Sequence, residues 1–305
     1  MDGLDVKNIK YHLLSLLVTA LVAGSFLSSE KLSGVINPFS LTLLRFLLAA
    51  LVLFPFILTK KHRIKMAKDV FPRSLIMSLF FAIFFICMFR ALQTTTALNT
   101  GTLYTLVPFI TAIVSVFLFK EKLSIQMLGV YLVGTVGTCW VVVKGDLETL
   151  LKLNLNKGDI LFLLGCMSMV CFSVSMKVFH RGEETIVTVF CTLIGGAFWM
   201  LLALFVFHQP LDWFALNAEL TLHMLYLALF ATLLSTFIIH KATVVLGPAK
   251  VMAYIYLSPV FVAFIMLLFD GKSIPTAVYP GIALSILSTV VLQVSNSQAE
   301  RNQVC

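Results

Sequence analysis

Long uninterrupted apolar runs constrain this chain more than any other feature of its sequence. They recur from residue 11 to residue 296, and short segments with charges or turn residues separate them. A helix of about 20 apolar residues spans the hydrocarbon core of a bilayer. The composition agrees, since 60% of the 305 residues are hydrophobic and 12% are charged, against roughly 25% charged in an average soluble domain. The sequence therefore predicts an integral membrane protein.

The predicted fold class is all-α, with ten transmembrane helices. A membrane β-barrel would show alternating polarity along each strand, whereas these runs are continuously apolar. Helices are the other way to satisfy backbone hydrogen bonds within lipid. The predicted helices occupy residues 11–29, 38–59, 73–92, 97–119, 125–143, 159–179, 185–207, 220–240, 249–269 and 277–296.

The positions of Lys and Arg predict the orientation. With the N-terminus in the cytoplasm, 15 of the 22 Lys and Arg residues fall in cytoplasmic segments and 6 in external ones, and Arg45 lies within a helix. Cytoplasmic segments carry the excess of positive charge in membrane proteins, so we expect both termini there. The run KKHRIKMAK at residues 60–68 contributes most of this bias. We interpret it as an anchor beside anionic lipid headgroups.

A stretch with a central proline occurs twice, at residues 90–124 and 240–273. Pro108 of the first copy corresponds to Pro259 of the second, and a short charged segment follows at each helix end. Repetition of this kind indicates a duplicated architecture.

The longest external connection divides the chain into two predicted domains, residues 9–143 and 159–297, with a linker at 144–158. Each half has five predicted helices. Because five is odd, the second half must enter the membrane inverted relative to the first. Inverted repeats are typical of secondary transporters, in which rocking of one repeat against the other exposes a central site to alternate sides.

Short motifs recur in a fixed order along the chain, from about residue 11 to 297. They are Ala23–Phe26, Leu44–Ala50, Arg90–Leu92, Thr95–Ala97, Pro108 with Leu118–Ser124, Gly129, and in the second half Ser258–Pro259 with Phe269–Lys272. This ordered set resembles the drug/metabolite transporter (DMT) superfamily and, within it, the ten-helix EamA-type permeases. The second half departs from the pattern at Gly271, which stands where Glu121 stands in the first.

The resemblance implies export or exchange of small metabolites. Substrates in the family include amino acids, sugars, nucleotide-like molecules and amphipathic drugs. The resemblance also implies that helices 1, 3, 4, 6, 8 and 9 line the cavity while helices 5 and 10 sit outside it.

Polar residues within the apolar runs are candidates for the substrate cavity, because polar side chains in membrane helices usually face the bundle interior. Tyr104 and Tyr254, close to the two prolines, are the preferred candidates for substrate contact. The other candidates are Ser25, Ser29, Glu30, Asn99, Ser175 and His240. Close packing of neighbouring helices explains the serines equally well.

Pro108 and Pro259 are predicted to lie in the middle of their helices and to form gating kinks. Proline removes a backbone donor and clashes with the preceding turn. Arg45 lies about two turns into helix 2. We interpret it as a structural charge that pairs with a helix-end carbonyl or a carboxylate, with direct substrate binding as the alternative.

Residues that could couple transport to protons or hold a metal are few. All 14 acidic residues fall in loops or at helix ends, so a deep carboxylate for a proton relay is missing. Glu30, His223 and His240 are candidates for proton coupling, and facilitated exchange is equally compatible. The cysteines and histidines lack metal-ligand spacing and no nucleotide-binding loop occurs. We therefore expect no metal and no cofactor.

Among functional classes, a carrier is favoured over a membrane-embedded enzyme, which needs clustered catalytic groups, and over a channel, which needs charged rings or a carbonyl filter. Amino acids or similar zwitterionic or amphipathic compounds suit the candidate cavity better than multiply charged phosphates. The expected partners are the substrate and the lipid bilayer, and nucleic acid is excluded because no basic face with interleaved aromatics exists. We expect a monomer or homodimer in a bacterial inner membrane.

Overall fold

The computed structural model describes residues 6–32, 35–91, 94–95, 100, 103–120, 124–146, 148, 156–270 and 275–304. For 6–8, 26–27, 29–30, 89, 269–270 and 295–304 it describes the backbone alone. Within these segments all regular structure is helical, and they contain no strand.

The principal helices are numbered here in chain order. They are α1 (Val6–Leu32), α2 (Pro38–Leu58), α3 (Lys61–Ala91), α4 (Leu106–Phe119), α5 (Ile125–Val142), α6 (Lys157–Val178), α7 (Thr185–Val206), α8 (Ala218–Leu246), α9 (Pro248–Asp270) and α10 (Tyr279–Val304). In the described part of the chain, eight are long and apolar enough to cross a membrane. The other two, α1 and α4, hold shorter apolar stretches, Ile9–Ser25 and Leu106–Phe119. An all-helical membrane protein is thus confirmed.

The third helix differs most from its predicted bounds. It begins at Lys61 rather than at residue 73, so the basic run at 60–68 is largely helical and not a loop. Lys, Arg, Met and Ala are good helix formers, but a search for apolar runs misses them. The eighth helix likewise continues to Leu246, beyond its predicted end at residue 240.

Helices α4 and α9 begin their main α-helical segments close to the two prolines. The ninth consists of Pro248–Ala253, a 3₁₀ segment Tyr254–Leu257 and a second α-helix that starts at Ser258. The fourth starts at Leu106, after a turn at Thr105. Pro108 and Pro259 therefore lie in the first turn of a helical segment, not mid-helix as predicted. First-turn N–H groups have no intrahelical partner, so proline is tolerated there.

The eighth helix contains a π-helical segment at Leu229–Leu234, between Ala218–Ala228 and Ser235–Leu246. Such segments are rare and frequent at functional sites. One residue, Gly247, joins α8 to α9, with φ 88° and ψ 154°. That φ lies in a region that side-chain-bearing residues rarely adopt, which explains glycine at this junction.

Helix packing brings the two halves of the chain together. Helix α3 packs against α6 and α7, α2 against α7, and α5 against α10. Helix α1 packs against α8 and the second part of α9, and α4 against Pro248–Ala253 and α6. Large apolar side chains also point outward, among them Ile125 at 87% exposure and Phe117 at 79%. An exposed apolar surface of this kind suits lipid rather than water.

The molecule has two ends. The amino-terminal face is the end at which α1, α3, α5, α7 and α9 begin, and the opposite face is the end at which they finish. The basic run at 60–68 lies at the amino-terminal face. The capping box of α6, formed by Asn156 and Asp159, lies at the opposite face.

Candidate functional site

The 3₁₀ segment of α9 places Tyr254 against α1. The Tyr254 hydroxyl lies 2.8 Å from His12 Nδ1, and Tyr254 is 5% exposed. Lys250, one turn earlier on α9, is 7% exposed, and its charge acts on the His12 ring. Its backbone carbonyl accepts a 3.0 Å hydrogen bond from Gln293 of α10. These groups form a buried polar cluster near the amino-terminal face.

A second buried group at this end is His240 of α8. It is 2% exposed, and neither of its ring nitrogens has a hydrogen-bond partner in the described structure. The ring of His180, in the connection after α6, lies edge-on to it with centroids 6.0 Å apart. Nδ1 of His180 is 3.8 Å from Glu183 Oε2.

Two ion pairs tie the first half to the second at the amino-terminal face. Arg73 of α3 lies 2.6 Å from Glu183, and Arg63 lies 2.7 Å from Glu184. Burial raises the pKa of Glu183, but the Arg181 N–H and the Arg73 guanidinium outweigh it, so that the pKa of Glu183 is lowered overall. The hydrogen bond from Arg63 lowers the pKa of Glu184. Both carboxylates are therefore held in their ionised form.

Tyr226 and His223 of α8 contact α1 towards the opposite face. The Tyr226 hydroxyl donates to the Leu21 carbonyl at 2.9 Å, and His223 Nδ1 lies 3.4 Å from Ser28 Oγ. A Cβ built on Gly24 would lie 2.5 Å from the Tyr226 hydroxyl. Glycine at residue 24 thus lets the Tyr226 hydroxyl reach α1.

The start of α2 binds the connection between α7 and α8 at this same end. Asn37 donates to Gln209 at 2.6 Å, and Trp213 Nε1 donates to the Ser40 carbonyl at 3.3 Å. Thr95 donates to Asp159 at the start of α6. The two halves are therefore in contact at both ends of the molecule.

Arg45 of α2 lies between α3 and α8 and is 8% exposed. Its Nε donates to the Thr232 hydroxyl of the π-helical segment at 3.1 Å, and its guanidinium carbon lies 5.8 Å from the centroid of the Phe85 ring. We predicted a carbonyl or carboxylate partner. The described partner is a hydroxyl, supplied by a π-helical turn that periodicity does not reveal.

Aromatic rings surround this region. Phe81 stacks on Phe172 of α6 at 4.4 Å and packs edge-on to Phe85 at 5.0 Å. Phe46, the neighbour of Arg45, lies 5.6 Å from Phe81, and Tyr104 lies 5.8 Å from Phe84. We call the rings of Phe46, Phe81, Phe84, Phe85 and Phe172 the aromatic wall.

The predicted serines bond to their own helices. Ser25 Oγ donates to the Val22 carbonyl at 2.6 Å, and Ser175 Oγ donates to the Phe172 carbonyl at 2.7 Å. Bonds to the preceding turn satisfy such hydroxyls locally, so a substrate role for them remains a prediction. Asn99 lies outside the described residues, and Ser29 and Glu30 are described by their backbone alone.

The two preferred tyrosines make different contacts. Tyr254 bonds to His12 of α1, whereas Tyr104 packs against Phe84 of α3. Their chain neighbours Thr105 and Tyr256 both contact Thr135 of α5. We did not single out His12, Tyr226 and Thr232 as site residues. Their partners lie 242, 205 and 187 positions away, so no local spacing could have identified these pairs.

No three His, Cys, Asp or Glu side chains in the described ranges lie close enough together to hold a metal ion. The polar contacts described above are hydrogen bonds, ion pairs and a guanidinium over an aromatic ring. Such groups can bind and release a small polar molecule without forming a covalent bond to it.

The chain is similar to a protein named as a transporter along most of its length. A relative from Archaeoglobus fulgidus, named as an uncharacterized transporter, is 26% identical over 259 residues, which cover 84% of this chain and 88% of that protein. A crystal structure of another protein shares the fold, with a TM-score of 0.76 at 18% identity over 93% of this chain and 97% of the other. The model of the EamA-like transporter family matches residues 9–143 and again residues 156–294. Family and relative both point to a transporter rather than an enzyme, and the chain belongs to the EamA-like transporter family.

Proposed function

We propose that this protein is a secondary carrier that exports or exchanges small metabolites by alternating access between two inverted five-helix repeats. The observation that carries the proposal is the pair of interrupted helices. Helices α4 and α9 have a helical start beside Pro108 and Pro259, and α4 packs against the first part of α9. In secondary transporters, discontinuous helices of this kind form the substrate site at the repeat interface.

The pattern of helix contacts supports the inverted repeat. If α1–α5 correspond to α6–α10, then α3 against α6 corresponds to α8 against α1, and α4 against α6 corresponds to α9 against α1. All four pairs are in contact. The pairs α2–α7, α4–α9 and α5–α10 each join equivalent helices, as expected around a pseudo-two-fold axis. We propose repeat boundaries at 9–143 and 159–297, with 144–158 as the linker.

Alternating access requires a seal at each end that opens in turn. At the amino-terminal face the proposed seal is the Tyr254–His12 contact, reinforced by the Arg73–Glu183 ion pair. At the opposite face it is the Tyr226 and His223 contacts with α1. Pro108 and Pro259, beside the helix interruptions, remain proposed gating kinks.

The proposed substrates are amino acids or similar zwitterionic or amphipathic compounds. The polar cluster at Tyr254 and the aromatic wall support this class, because they offer hydrogen-bonding groups beside apolar rings. The proposed cavity comprises Ser25, Ser29, Glu30, Asn99, Tyr104, Ser175, Tyr254 and His240. We place the protein in a bacterial inner membrane. Both termini are proposed to lie in the cytoplasm, and the basic run at 60–68 supports this orientation.

Counterflow in proteoliposomes tests the proposal. Vesicles that contain the purified protein and a mixture of unlabelled amino acids are given each amino acid in labelled form outside. A carrier gives saturable uptake that internal substrate accelerates, and protein-free vesicles provide the background. Uptake that neither saturates nor responds to internal substrate would indicate a channel. Absence of exchange for every amino acid and amphipathic compound tested would contradict the proposal.

A further inference from the structure

Arg45 is a buried charge about two turns into α2. It lies seven residues after Pro38, the first residue of α2, or about 10 Å along the helix axis. It is 8% exposed. An arginine at such depth in a membrane protein is costly and usually serves a ligand, an ion pathway or a paired charge.

Few N–H groups of this guanidinium have a hydrogen-bond partner in the described part of the protein. Of its five N–H groups, one, on Nε, donates to Thr232. The four on Nη1 and Nη2 have no acceptor among the described residues, and no described carboxylate lies within ion-pairing distance of Arg45. The Nη atoms are not among the fully enclosed unpartnered atoms of the described residues. Their N–H groups are therefore available to an anion, and a paired anion lowers the cost of a charge in apolar surroundings.

The surroundings restrict which anion fits. Phe85 lies under the guanidinium and adjoins Phe81 and Phe84 of the aromatic wall. Rings on this side leave a planar fork of N–H groups for a ligand, and a fork of this shape matches a carboxylate through two parallel hydrogen bonds. One guanidinium balances one negative charge, and the rings favour an apolar or aromatic body beside it.

We propose that Arg45 binds the carboxylate of the transported molecule, and that the substrates are monocarboxylates with an apolar or aromatic body that packs against the aromatic wall. The transport part of this inference rests on the proposed carrier function, whereas the binding part does not. Thr232, held by the π-helical segment, orients the fork through Nε. Neutral amides and decarboxylated amines of the same shape are then poor ligands, because they offer Arg45 no negative charge.

Binding is tested with benzoate and its neutral isostere benzamide on the detergent-solubilised protein. Benzoate should raise the thermal unfolding midpoint of the wild type in a concentration-dependent way, as a ligand of the folded state does, and benzamide should not. In Arg45→Gln the concentration needed for a given shift should rise at least about tenfold. Arg45→Lys, which keeps the charge but loses the fork, should fall between the two.

Arg90→Gln is the matched control. Arg90 ends α3 at the opposite face, where it stacks 4.3 Å from the centroid of Phe207. It shares the residue type and an aromatic contact with Arg45 but lies at the helix end. Benzoate should stabilise Arg90→Gln as it does the wild type.

Transport supplies the second measurement. For any amino acid that the wild type exchanges, Arg45→Gln should lower the uptake, and the matching amino amide should not compete.

Three results of the binding experiment would each overturn the proposal. They are equal stabilisation by benzoate and benzamide, no stabilisation by benzoate, and an undiminished benzoate effect in Arg45→Gln. The comparison of benzoate with benzamide uses the wild-type protein, so it still tests the proposal if Arg45→Gln does not fold. Exchange that is independent of Arg45 overturns this inference alone, whereas Arg45-dependent binding without exchange overturns the carrier function alone.

Discussion

Two tyrosine hydroxyl groups of the second half of this chain form hydrogen bonds with α1. Tyr254 reaches His12 across 242 positions of sequence, and Tyr226 reaches the backbone of α1. Each of these bonds joins a residue of the second half to α1. At the scale of residues, a Tyr→Phe substitution therefore removes one hydrogen-bonding oxygen atom and leaves the rest of the side chain in place.

Tyr254→Phe should slow exchange. The change leaves His12 Nδ1 without its partner and weakens the contact at the amino-terminal face by about 1 kcal/mol. A shift of that size changes the ratio of two conformations about fivefold. The initial rate of counterflow at saturating substrate is the measurement, and we expect it to fall several-fold.

The control for this prediction is Tyr11→Phe. Tyr11 is the neighbour of His12 and packs against the main core cluster, and its hydroxyl has no hydrogen-bond partner in the described structure. Its removal should leave exchange unchanged. Equal rates in wild type and Tyr254→Phe would show that the hydroxyl takes no part in the transport cycle.

At the scale of elements, close contact between α5 and α10 depends on glycine. A Cβ built on Gly137 would lie 3.0 Å from the Ser285 backbone nitrogen and 3.1 Å from the Gly281 carbonyl oxygen. Backbone atoms of a neighbouring helix cannot turn aside as a side chain does. A Cβ built on Gly129, on the same helix, meets nothing within 4 Å.

Gly137→Ala should therefore destabilise the protein by about 1–3 kcal/mol, the usual cost of overpacking. Gly129→Ala should be neutral or stabilising by up to about 1 kcal/mol, because alanine favours the helix. Thermal unfolding in detergent compares the two. A similar midpoint for both variants would contradict the close approach of α5 and α10.

Pro259→Ala tests the interruption of α9. Alanine is compatible with a first helical turn, so the unfolding midpoint should change little. Because alanine also lets an α-helix continue through Tyr254–Leu257, the exchange rate should fall. Pro55→Ala provides the control, since Pro55 lies inside α2 and is exposed. Pro55→Ala should exchange substrate at the wild-type rate. An equal loss of exchange in both variants would show that the interruption of α9 is not the cause.

The helices could be predicted from the sequence, but the irregular segments within them could not. Hydropathy is a local property, so the sequence predicted helix positions well, and the largest error concerned the charged start of α3. The 3₁₀ segment at Tyr254–Leu257 and the π segment at Leu229–Leu234 depend on neighbouring helices and leave no periodicity to read. The sequence could therefore nominate Arg45 and Tyr254 as residues of interest but could not identify Thr232 and His12 as their partners.

At the scale of the whole molecule, ion pairs join the halves at the amino-terminal face and uncharged hydrogen bonds join α2 to the α7–α8 connection at the other. The ion pairs respond to acid, and so does the contact of Thr95 with the Asp159 carboxylate at the opposite face. Glu183, with 11% of its side chain exposed, has a lowered pKa and faces Arg73, His180 and the Arg181 N–H. Its ionised form stabilises the fold.

Acid should therefore weaken the ion pair of Glu183 at the amino-terminal face. A carboxylate with a lowered folded pKa contributes stability above its unfolded value, roughly 4.3, and loses it as the pH falls through the folded value. The thermal midpoint of the wild type should drop as the pH falls below about 5, and less so in Glu183→Gln. Glu219→Gln, an exposed carboxylate near the start of α8, serves as the control and should behave as the wild type. An equal drop in Glu183→Gln would exclude this carboxylate as the cause.

Gly247 has a mechanical consequence for the transport cycle. It is the single residue between α8, which holds Thr232 and Tyr226, and α9, which holds Tyr254. A connection this short leaves no slack, so a rotation of α9 at one end of the molecule pulls directly on α8. In the proposed transport cycle, we therefore expect movement of the proposed seal at Tyr254 to be coupled to movement of the proposed seal at Tyr226. Simultaneous opening of both ends, which would let solute leak, is then disfavoured by the short covalent connection.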